Sequence, residues 1–411
     1  MTITPGNSSG EIDVSDFDLM DLPADYVPNA HSYFAALRQA SPIHRNRDGS
    51  YILTRYDDLV TAYRDPRVWS SDKKAAFGPK FGTSPLFEHH TTSLVFVDPP
   101  DHTRIRKLFQ SAFTRKSLAA LEPRIHALVD GYLDELADGG EMEFVSGFSF
   151  RLPVEIVCDM LGVPTSDRLL IREWALSILG ALEPVMTDQQ FQDGCAAVDN
   201  FKAYLRDRVK ERKANPDGGR DGEILTALIE AEEEGEKLTE IELLHQCIFL
   251  LNAGHETSTN MISHGAHEML RHPGEIEKLR ADATLIDSMV EEVLRFQAPI
   301  QINNRRALHD TKLSGTAIPA GSVVHLMIGA ANLDPAQFPD PECFDITRRP
   351  NRHLSFGLGI HICAGNALAR MEAKIAFAKL FQRFPNLRLV APAALSDRIR
   401  FREVTELKVA I

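Results

Sequence analysis

A single cysteine stands in a setting that suits metal ligation better than core packing. Cys363 lies in the stretch FGLGIHICAGNALAR, where Gly357 and Gly359 precede it and Gly365 follows it. A thiolate is a strong, soft ligand for iron, and without a second cysteine nearby it would act alone, as the axial ligand of a haem does. The glycines permit a tight turn beneath a large flat group, and Phe356 would shield the sulfur from water. The alternative is a surface loop with an unrelated cysteine.

A second chemical group lies in the middle of a long helical pattern, in the sequence AGHETS. A glycine at mid-helix costs about 1 kcal/mol, so Gly254, next to Ala253, indicates that a small ligand needs room there. The hydroxyl of Thr257 can bond to the carbonyl four residues earlier and loosen the helix. Glu256 places an acid beside this gap. The alternative is a kinked helix with a surface glutamate.

The spacing F-G-x-G-x-H-x-C-x-G around the cysteine resembles that of the cytochrome P450 superfamily, soluble bacterial type. The resemblance covers nearly the whole chain, from about residue 28 to residue 411. It implies heme b (iron protoporphyrin IX) as the cofactor, with the cysteine as the axial thiolate ligand of the iron. The residues that carry this motif are Phe356, Gly357, Gly359, His361, Cys363 and Gly365.

The resemblance also assigns roles to the helix motif and to one ion pair. Ala253 and Gly254 would leave space for dioxygen. Thr257 would orient oxygen and water, and Glu256 would help to relay protons. Glu292 and Arg295 lie three residues apart on one helix face and suit an ion pair, to which the resemblance gives a structural and not a catalytic role.

Haem carries two propionates, and buried negative charge requires nearby cations. His102 and Arg106 lie one turn apart on one predicted helix face. Arg305 and His353 occupy further positions that the resemblance assigns to the propionates. Each cation alone could be a solvated side chain, but four in matching positions are better explained by the propionates.

The substrate pocket is predicted from helix geometry and from the resemblance. Because Thr257 would face the haem, Ala253 and Phe249, one and two turns earlier, should face the same pocket. The other predicted pocket residues are Asn252 beside them, Gln301 and Ile302 before Arg305, Val404 and Thr405 near the end of the chain, and Phe87 as a lid in a long loop.

Two amides distinguish this otherwise apolar pocket. Buried amides need hydrogen-bond partners, so Asn252 and Gln301 favour a mostly apolar substrate that carries a hydroxyl, carbonyl or carboxylate. The alternative is that both amides bond to the backbone or to water. No basic residue is predicted to enter the pocket, so the sequence does not predict a dedicated carboxylate clamp.

The elements that position these groups are mainly helical. The strongest helix begins at a capping box of Thr239 and Glu242 and runs to Arg271, a length of roughly 48 Å. Residues 70–97 are predicted to be a long irregular loop. We expect a mainly α protein with small β-sheets, in which a flexible segment at 1–27 precedes one haem-thiolate monooxygenase domain at 28–411, with the long helix crossing over the haem.

Composition excludes several classes of protein. The chain has 411 residues and a formal net charge of −13, which argues against generic nucleic-acid binding. The first residues carry no signal-peptide pattern, and no apolar run approaches the length of a membrane span. The five cysteines include no C-x-x-C pair, which excludes a disulfide scaffold. We expect a cytoplasmic monomer without membrane insertion.

The resemblance implies a monooxygenase that inserts one atom of dioxygen into a C–H bond. Electrons would come from a separate ferredoxin or flavodoxin with its NAD(P)H-dependent reductase, since the chain carries no flavin or iron–sulfur motif. Three alternatives remain: oxidative coupling, peroxide-driven oxidation, and a non-catalytic haem sensor or carrier. The basic residues expected to meet an acidic redox partner on the cysteine face are Arg104, Lys107, Arg348, Arg349, Arg352 and Arg370.

Overall fold

Helices dominate the protein, as the sequence predicts. The computed structural model describes residues 12–183, 186–215, 224–233 and 238–411. The helices are α1 (Ala30–Ala40), α2 (Tyr56–Arg64), α3 (Lys74–Phe81), α4 (Pro85–Thr92), α5 (Asp101–Ala112), α6 (Arg115–Gly139), α7 (Arg151–Met160), α8 (Arg168–Gly180), α9 (Asp188–Ala214), α10 (Ile224–Glu233), α11 (Glu240–Arg271), α12 (Pro273–Ala281), α13 (Ile286–Phe296), α14 (Ile328–Ala331) and α15 (Asn366–Arg383).

The strands form small sheets at the edges of the helical body. They are β1 (Ile43–Arg45), β2 (Tyr51–Leu53), β3 (Trp69–Ser70), β4 (Glu141–Glu143), β5 (Ile302–Ala307), β6 (Thr311–Leu313), β7 (Thr316–Ile318), β8 (Val323–Met327), β9 (Arg388–Leu389), β10 (Ala394–Leu395), β11 (Val404–Glu406) and β12 (Lys408–Ala410). In the described residues, one sheet has the order β1-β2-β8-β5-β3 and another the order β4-β12-β9. Of the pairs in the first sheet, β2 and β8 run parallel and the others antiparallel.

Helix α11 is the axis of the core. It begins at the predicted capping box, where the Thr239 hydroxyl accepts from the backbone N–H of Glu242 at 3.2 Å and the Glu242 carboxylate accepts from that of Thr239 at 2.8 Å. Its 32 residues are mostly buried, and it packs against α7, α9, α13 and α15. The prediction of one long central helix is therefore confirmed.

The N-terminal segment differs from its prediction. Residues 1–11 lie outside the described part of the chain. Within residues 12–27, Val14, Phe17, Leu19 and Tyr26 are buried in the main core. The prediction of a flexible segment is therefore wrong for this part, because apolar residues dispersed among acidic ones still bury enough surface to fix the chain.

The predicted long loop at 70–97 is also wrong, because it contains helices α3 and α4. Helix α4 begins at a serine cap, where the hydroxyl of Ser84 accepts from the backbone N–H of Phe87 at 3.3 Å. Pro85 occupies the first helical position, where its missing N–H costs nothing. Gly82 and Pro85 mark helix ends, whereas Gly78 and Pro79 lie within α3.

The predicted pair of Glu292 and Arg295 lies at the centre of the fold. Both side chains are inaccessible to solvent and meet at 2.8 Å. Arg295 also donates to the backbone carbonyls of Asn332, Pro341 and Cys343, at 2.8–3.1 Å. The pair therefore ties α13 to the chain segment that leads toward the cysteine loop. Among the helices of the described residues, we find none with the length and apolar character to cross a membrane.

We expect Arg295→Met to lower the free energy of unfolding of the haem-loaded protein by about 3–5 kcal/mol, because it leaves a buried carboxylate without its main cation. The matched control is Arg383→Met, whose partner Asp134 is 64% exposed. Breaking this surface pair should cost less than about 1 kcal/mol. Urea unfolding followed by circular dichroism measures both losses. Equal losses in the two variants would contradict the structural role of the buried pair.

Candidate active site

A cavity of about 290 Å³ lies between the middle of α11 and the cysteine loop. Most of its lining side chains are apolar. Helix α11 contributes Phe249, Asn252 and Thr257, and the opposite wall includes Phe356 and Cys363. The structure therefore brings together the two motifs that the sequence singled out, although about a hundred residues separate them.

The cysteine is held by a turn that precedes α15. Its backbone N–H donates to the carbonyl of Phe356 at 2.8 Å, and its own carbonyl accepts from the side-chain amide of Asn366 at 2.6 Å. Burial raises the pKa of the Cys363 thiol, while a hydrogen bond from the backbone of Gly365 and the charges of Arg106 and Arg370 lower it. The backbone N–H and the start of the helix both favour a thiolate here, which is the form that binds a metal.

Two glycines shape this turn for a steric reason that the sequence motif does not reveal. Gly357 and Gly359 have φ angles of +67° and +74°, which side chains rarely adopt. A Cβ on Gly359 would lie 2.4 Å from the backbone oxygen of Tyr63, at the end of α2. The turn can therefore approach α2 closely only with glycine at this position.

The hydroxyl of Thr257 lies at the cavity wall and donates to the carbonyl of Ala253 at 2.8 Å, the bond that the sequence predicts. Gly254 also lines the cavity, but a Cβ there would lie 2.6 Å from Cγ2 of Val157 on α7. The need for glycine at this position therefore comes from close helix packing, in addition to the space it leaves at the cavity.

Glu256 points away from the cavity into a buried cluster of acids. Its carboxylate pairs with Arg398, which also contacts Glu183 at 3.1 Å and Glu403 at 3.5 Å. One cation faces three carboxylates, so the cluster cannot be neutral when all three are ionised. Burial raises the pKa of Glu256 to about 7, against the attraction of Arg398. The cluster therefore holds a proton near neutral pH.

Cations and unpartnered imidazoles gather at one end of the cavity. The ring centroids of His102 and His361 lie 4.1 Å apart. Burial, followed by the charge of Arg305 and other nearby cations, lowers the pKa of His361 to about 2, and burial and Arg106 lower that of His102 to about 4. Buried Lys73 has its pKa lowered by burial and by Arg305. Asp98 opposes part of this charge, but positive charge is in excess at this end of the site.

Haem fits this arrangement. Both ring nitrogens of His102, Nε2 of His361 and the hydroxyl of Tyr63 are buried without a partner in the structure. Buried polar groups are normally hydrogen-bonded, and a neutral imidazole donates from one of its two nitrogens, so the donors among these groups indicate an anionic or strongly accepting group. Two propionates would satisfy them and offset Arg106 and Arg305. The remaining requirement, a thiolate on the cavity wall, is met by Cys363.

His353 is the one predicted propionate ligand that the structure places elsewhere. Its Nε2 lies 3.1 Å from the carboxylate of Glu291, which also binds Arg370, and its ring packs near Phe356. It does not line the cavity. His353 therefore supports the cysteine loop from behind, and the prediction that it binds a propionate is wrong.

Several predicted pocket residues are also wrong. Phe249, Asn252 and Ala253 line the cavity, and the amide oxygen of Asn252 is buried without a partner. The side chain of Gln301 instead donates to the carbonyl of Ala298 at 2.6 Å. The predicted residues that do not line the cavity are Gln301, Ile302, Val404, Thr405 and Phe87; the nearby residues that do so are Pro299, Ile300, Asn303, Arg400, Phe401, His89 and His90.

Sequence reasoning missed several polar groups at or beside the cavity, among them Glu372, Arg398 and Arg400. Glu372 on α15 lines the cavity, and burial raises its pKa to about 8 against a hydrogen bond with Ser258. Arg398 and Arg400 lie in the segment DRIRFRE, where arginine alternates with apolar residues. That alternation is typical of an extended segment with one polar face, and it was the signal available for both arginines.

Comparison with known proteins supports the assignment of a haem site. The family model described as "Cytochrome P450" matches residues 175–389. Cytochrome P450 CYP107DY1 of Priestia megaterium is 38% identical over 83% of this chain and 84% of its own. The vitamin D(3) 25-hydroxylase of Pseudonocardia autotrophica is 37% identical over 92% of this chain and 91% of its own. The crystal structure of P450BioI in complex with hexadec-9Z-enoic acid ligated acyl carrier protein matches with a TM-score of 0.87 and 34% identity, covering 94% of this chain and 100% of that one.

We expect Arg305→Met to accelerate the loss of haem by about 10- to 100-fold, because a buried charge-assisted contact to a propionate is removed. The matched control is His353→Gln, which should leave haem retention unchanged because glutamine can still donate to the carboxylate of Glu291, as His353 does through Nε2. Transfer of haem to an excess of apomyoglobin, followed by absorbance, measures both rates. Wild-type retention in Arg305→Met, or equal loss in the two variants, would contradict this assignment.

Proposed function

Because this chain belongs to the cytochrome P450 family, we propose that it inserts one atom of dioxygen into a C–H bond of a mostly apolar small organic molecule. The family shares the helical fold described above and binds haem through a cysteine thiolate, which is Cys363 here. Relatives named as hydroxylases are 37% and 35% identical to this chain, and the protein is an oxidoreductase of this class. When bound, the haem supplies the centre at which dioxygen is reduced and an oxygen atom is transferred.

The observation that carries the proposal is the position of Thr257 and Glu256 on α11. The Thr257 hydroxyl lies on the cavity wall, and the adjacent residue reaches a buried cluster that holds a proton near neutral pH. Reducing dioxygen to water consumes protons. A hydroxyl at the cavity and a proton-holding acid behind it can supply them without opening the cavity to bulk water.

Glu372 is a second group that can hold a proton at the cavity. With a pKa raised to about 8 by burial, it is mostly protonated at neutral pH. It lies on α15 and reaches Ser258, the residue after Thr257. Proton-holding groups therefore approach the same part of α11 from two directions.

Thr257 and the buried acids also distinguish monooxygenation from the alternative functions. A peroxide-driven oxidation brings its protons with the oxidant, and a haem sensor or carrier needs none, so neither explains why a buried acid cluster and Thr257 are kept together. Oxidative coupling would use the same residues, and only the product distinguishes it from hydroxylation. We rank monooxygenation first for this reason.

Electrons are proposed to enter on the cysteine face from a ferredoxin or flavodoxin. Of the basic residues predicted there, Arg104 binds Glu242, Arg348 binds Glu292 and Arg370 binds Glu291. The exposed ones are Lys107, Arg349 and Arg352, and apolar Ile360 and Ile362 are exposed beside the cysteine. An acidic partner could use the three exposed cations for steering and the isoleucines for close contact.

The cysteines bear on the compartment in which the protein works. All five are unpaired. Unpaired thiols are typical of a reducing environment, and we propose a cytoplasmic location.

We expect Glu256→Gln to reduce product formation by about 100-fold, since a glutamine cannot supply a proton. The wild-type rate should fall as pH rises above about 7, because Glu256 must hold a proton to deliver it and loses it above its pKa. This pH dependence should be absent in the variant. Turnover with product counted per NAD(P)H, across a pH series, measures both effects.

The control for this experiment is Glu135→Gln, which alters an exposed acid that pairs with Arg151. It should keep the wild-type rate and the wild-type pH profile. A Glu256→Gln enzyme that also keeps both would contradict the proposed proton supply.

Replacing Arg349 and Arg352 by glutamate should raise the ferredoxin concentration needed for half-maximal turnover by about 10-fold, because steering of an acidic partner is lost. Substrate affinity should not change. Turnover against ferredoxin concentration at several salt concentrations measures this, and the dependence on salt should be weaker in the variant. The control is Arg388→Glu, which changes an exposed arginine on β9. An equal effect of the control would contradict docking at the proposed surface.

A further inference from the structure

One basic residue enters the substrate side of the cavity, although the sequence predicts none. Arg400 lines the cavity together with Phe401, and its backbone carbonyl accepts from the N–H of Gln301 at 2.9 Å, which fixes the segment beside β5. Burial lowers the pKa of its guanidinium. The residue is half-buried, its Nε is fully buried, and it forms part of the cavity wall.

The guanidinium of Arg400 is poorly satisfied by the protein. Across the described parts of the chain, its one side-chain hydrogen bond is a long contact of 3.4 Å to the carbonyl of Ile302, and its Nε is buried without a partner. No carboxylate of those residues lies within ion-pair distance. Glu183 offsets part of its charge from farther away, but the Glu183 carboxylate is bound to Arg398 at 3.1 Å. A partly buried guanidinium with so few partners becomes more favourable when an anion joins it.

The neighbours of Arg400 add positive charge and a hydrogen-bond donor. Its charge lowers the pKa of Lys73, Lys80 and His90, so all three lie within its field. His90 is buried, lines the same cavity, and has an Nε2 with no hydrogen-bond partner among the described residues. Lys80 donates to the backbone carbonyl of Glu183 at 2.6 Å. Nearby acids that oppose these charges are Glu183, Asp72 and Asp98.

The haem propionates do not account for Arg400. Their candidate partners, His102, Arg106, Arg305 and His361, form a group whose charges act on one another. Arg400 shares Lys73 with this group, because burial and the charges of both Arg305 and Arg400 lower the pKa of Lys73, but it also acts on His90 and Lys80 of the α3–α4 region. Two carboxylates can be satisfied by the first group, which leaves the guanidinium of Arg400 for another anion.

We propose that Arg400 binds a carboxylate of the substrate, with His90 Nε2 as a second donor. The substrate class is then an apolar free acid, in which the hydrocarbon part contacts the apolar walls and the carboxylate reaches the guanidinium. Arginine suits this role because its fork of donors matches the two oxygens of a carboxylate. A neutral ester or thioester of the same acid would lack the charge. This inference deepens the proposed monooxygenase function and rests on it.

Ligand binding to the haem-loaded enzyme tests the inference without turnover. Decanoic, dodecanoic, tetradecanoic and hexadecanoic acids are titrated beside their methyl esters, by the absorbance change of the haem and by calorimetry. We expect at least one acid to bind about 10- to 100-fold more tightly than its ester. Arg400→Met should abolish that ratio by weakening acid binding, and Arg400→Lys should restore part of it.

The matched control is Arg67→Met, which removes one positive charge from an 88% exposed side chain and should keep the wild-type ratio. The proposal is overturned if acids and esters bind equally, if no acid binds to enzyme with full haem content, or if Arg400→Met loses haem while keeping the ratio. The last result would make Arg400 a propionate ligand. If the Arg400→Met protein does not fold, the wild-type ratio and Arg400→Lys decide. Acid-selective binding without substrate-dependent oxygenation would count against the proposed function alone.

Discussion

Positive charge buried beside the cavity is the constraint on which the rest of the structure depends. Arg305 and Lys73 are buried, Arg106 is half-buried, and each has its pKa lowered by burial. Burying such charges without partners is strongly unfavourable. In our proposal the two carboxylates of haem would offset this cost, and the thiolate of Cys363 would hold the iron. Folding and cofactor binding are therefore linked, since a ligand that binds only the folded state stabilises it.

Helix α11 places the chemical groups of the site in different surroundings, because neighbouring residues on a helix face different directions. Thr257 faces the cavity, whereas Glu256 faces the acid cluster outside it. The segment DRIRFRE provides the matching parts on the other side. Arg398 belongs to the acid cluster, and Arg400 belongs to the cavity wall. One short segment thus serves both the proton supply and, in our proposal, the recognition of an acid.

The features that could be predicted from the sequence are those set by local geometry. The capping box of α11, the hydrogen bond from Thr257 to Ala253 and the positive φ angles of Gly357 and Gly359 all follow from residues within a few positions of one another. The burial of the Glu292–Arg295 pair agrees with the same kind of reasoning. The mainly helical architecture is likewise visible in the periodic apolar pattern.

The pocket walls could not be predicted in this way, because they depend on register. The chain is irregular before β5 begins at Ile302, so side chains do not alternate regularly there, and Ile300 and Asn303 line the cavity while Gln301 and Ile302 do not. Near the C-terminus the sequence predicts Val404 at the cavity wall, whereas Arg400, four positions earlier, lines the cavity. His353 was misplaced because its partner, Glu291, lies on another helix, and no local pattern reveals that contact.

The central claim is that Cys363 holds a haem as its thiolate ligand, and one spectrum tests it most directly. The protein is reduced with dithionite and exposed to carbon monoxide, with wild type beside Cys363→Ala. The account predicts a strongly red-shifted Soret band in the wild type that is absent from the variant, because a thiolate donates electron density to the iron. A histidine-type band that persists in folded Cys363→Ala protein, or a wild type without haem, would contradict it.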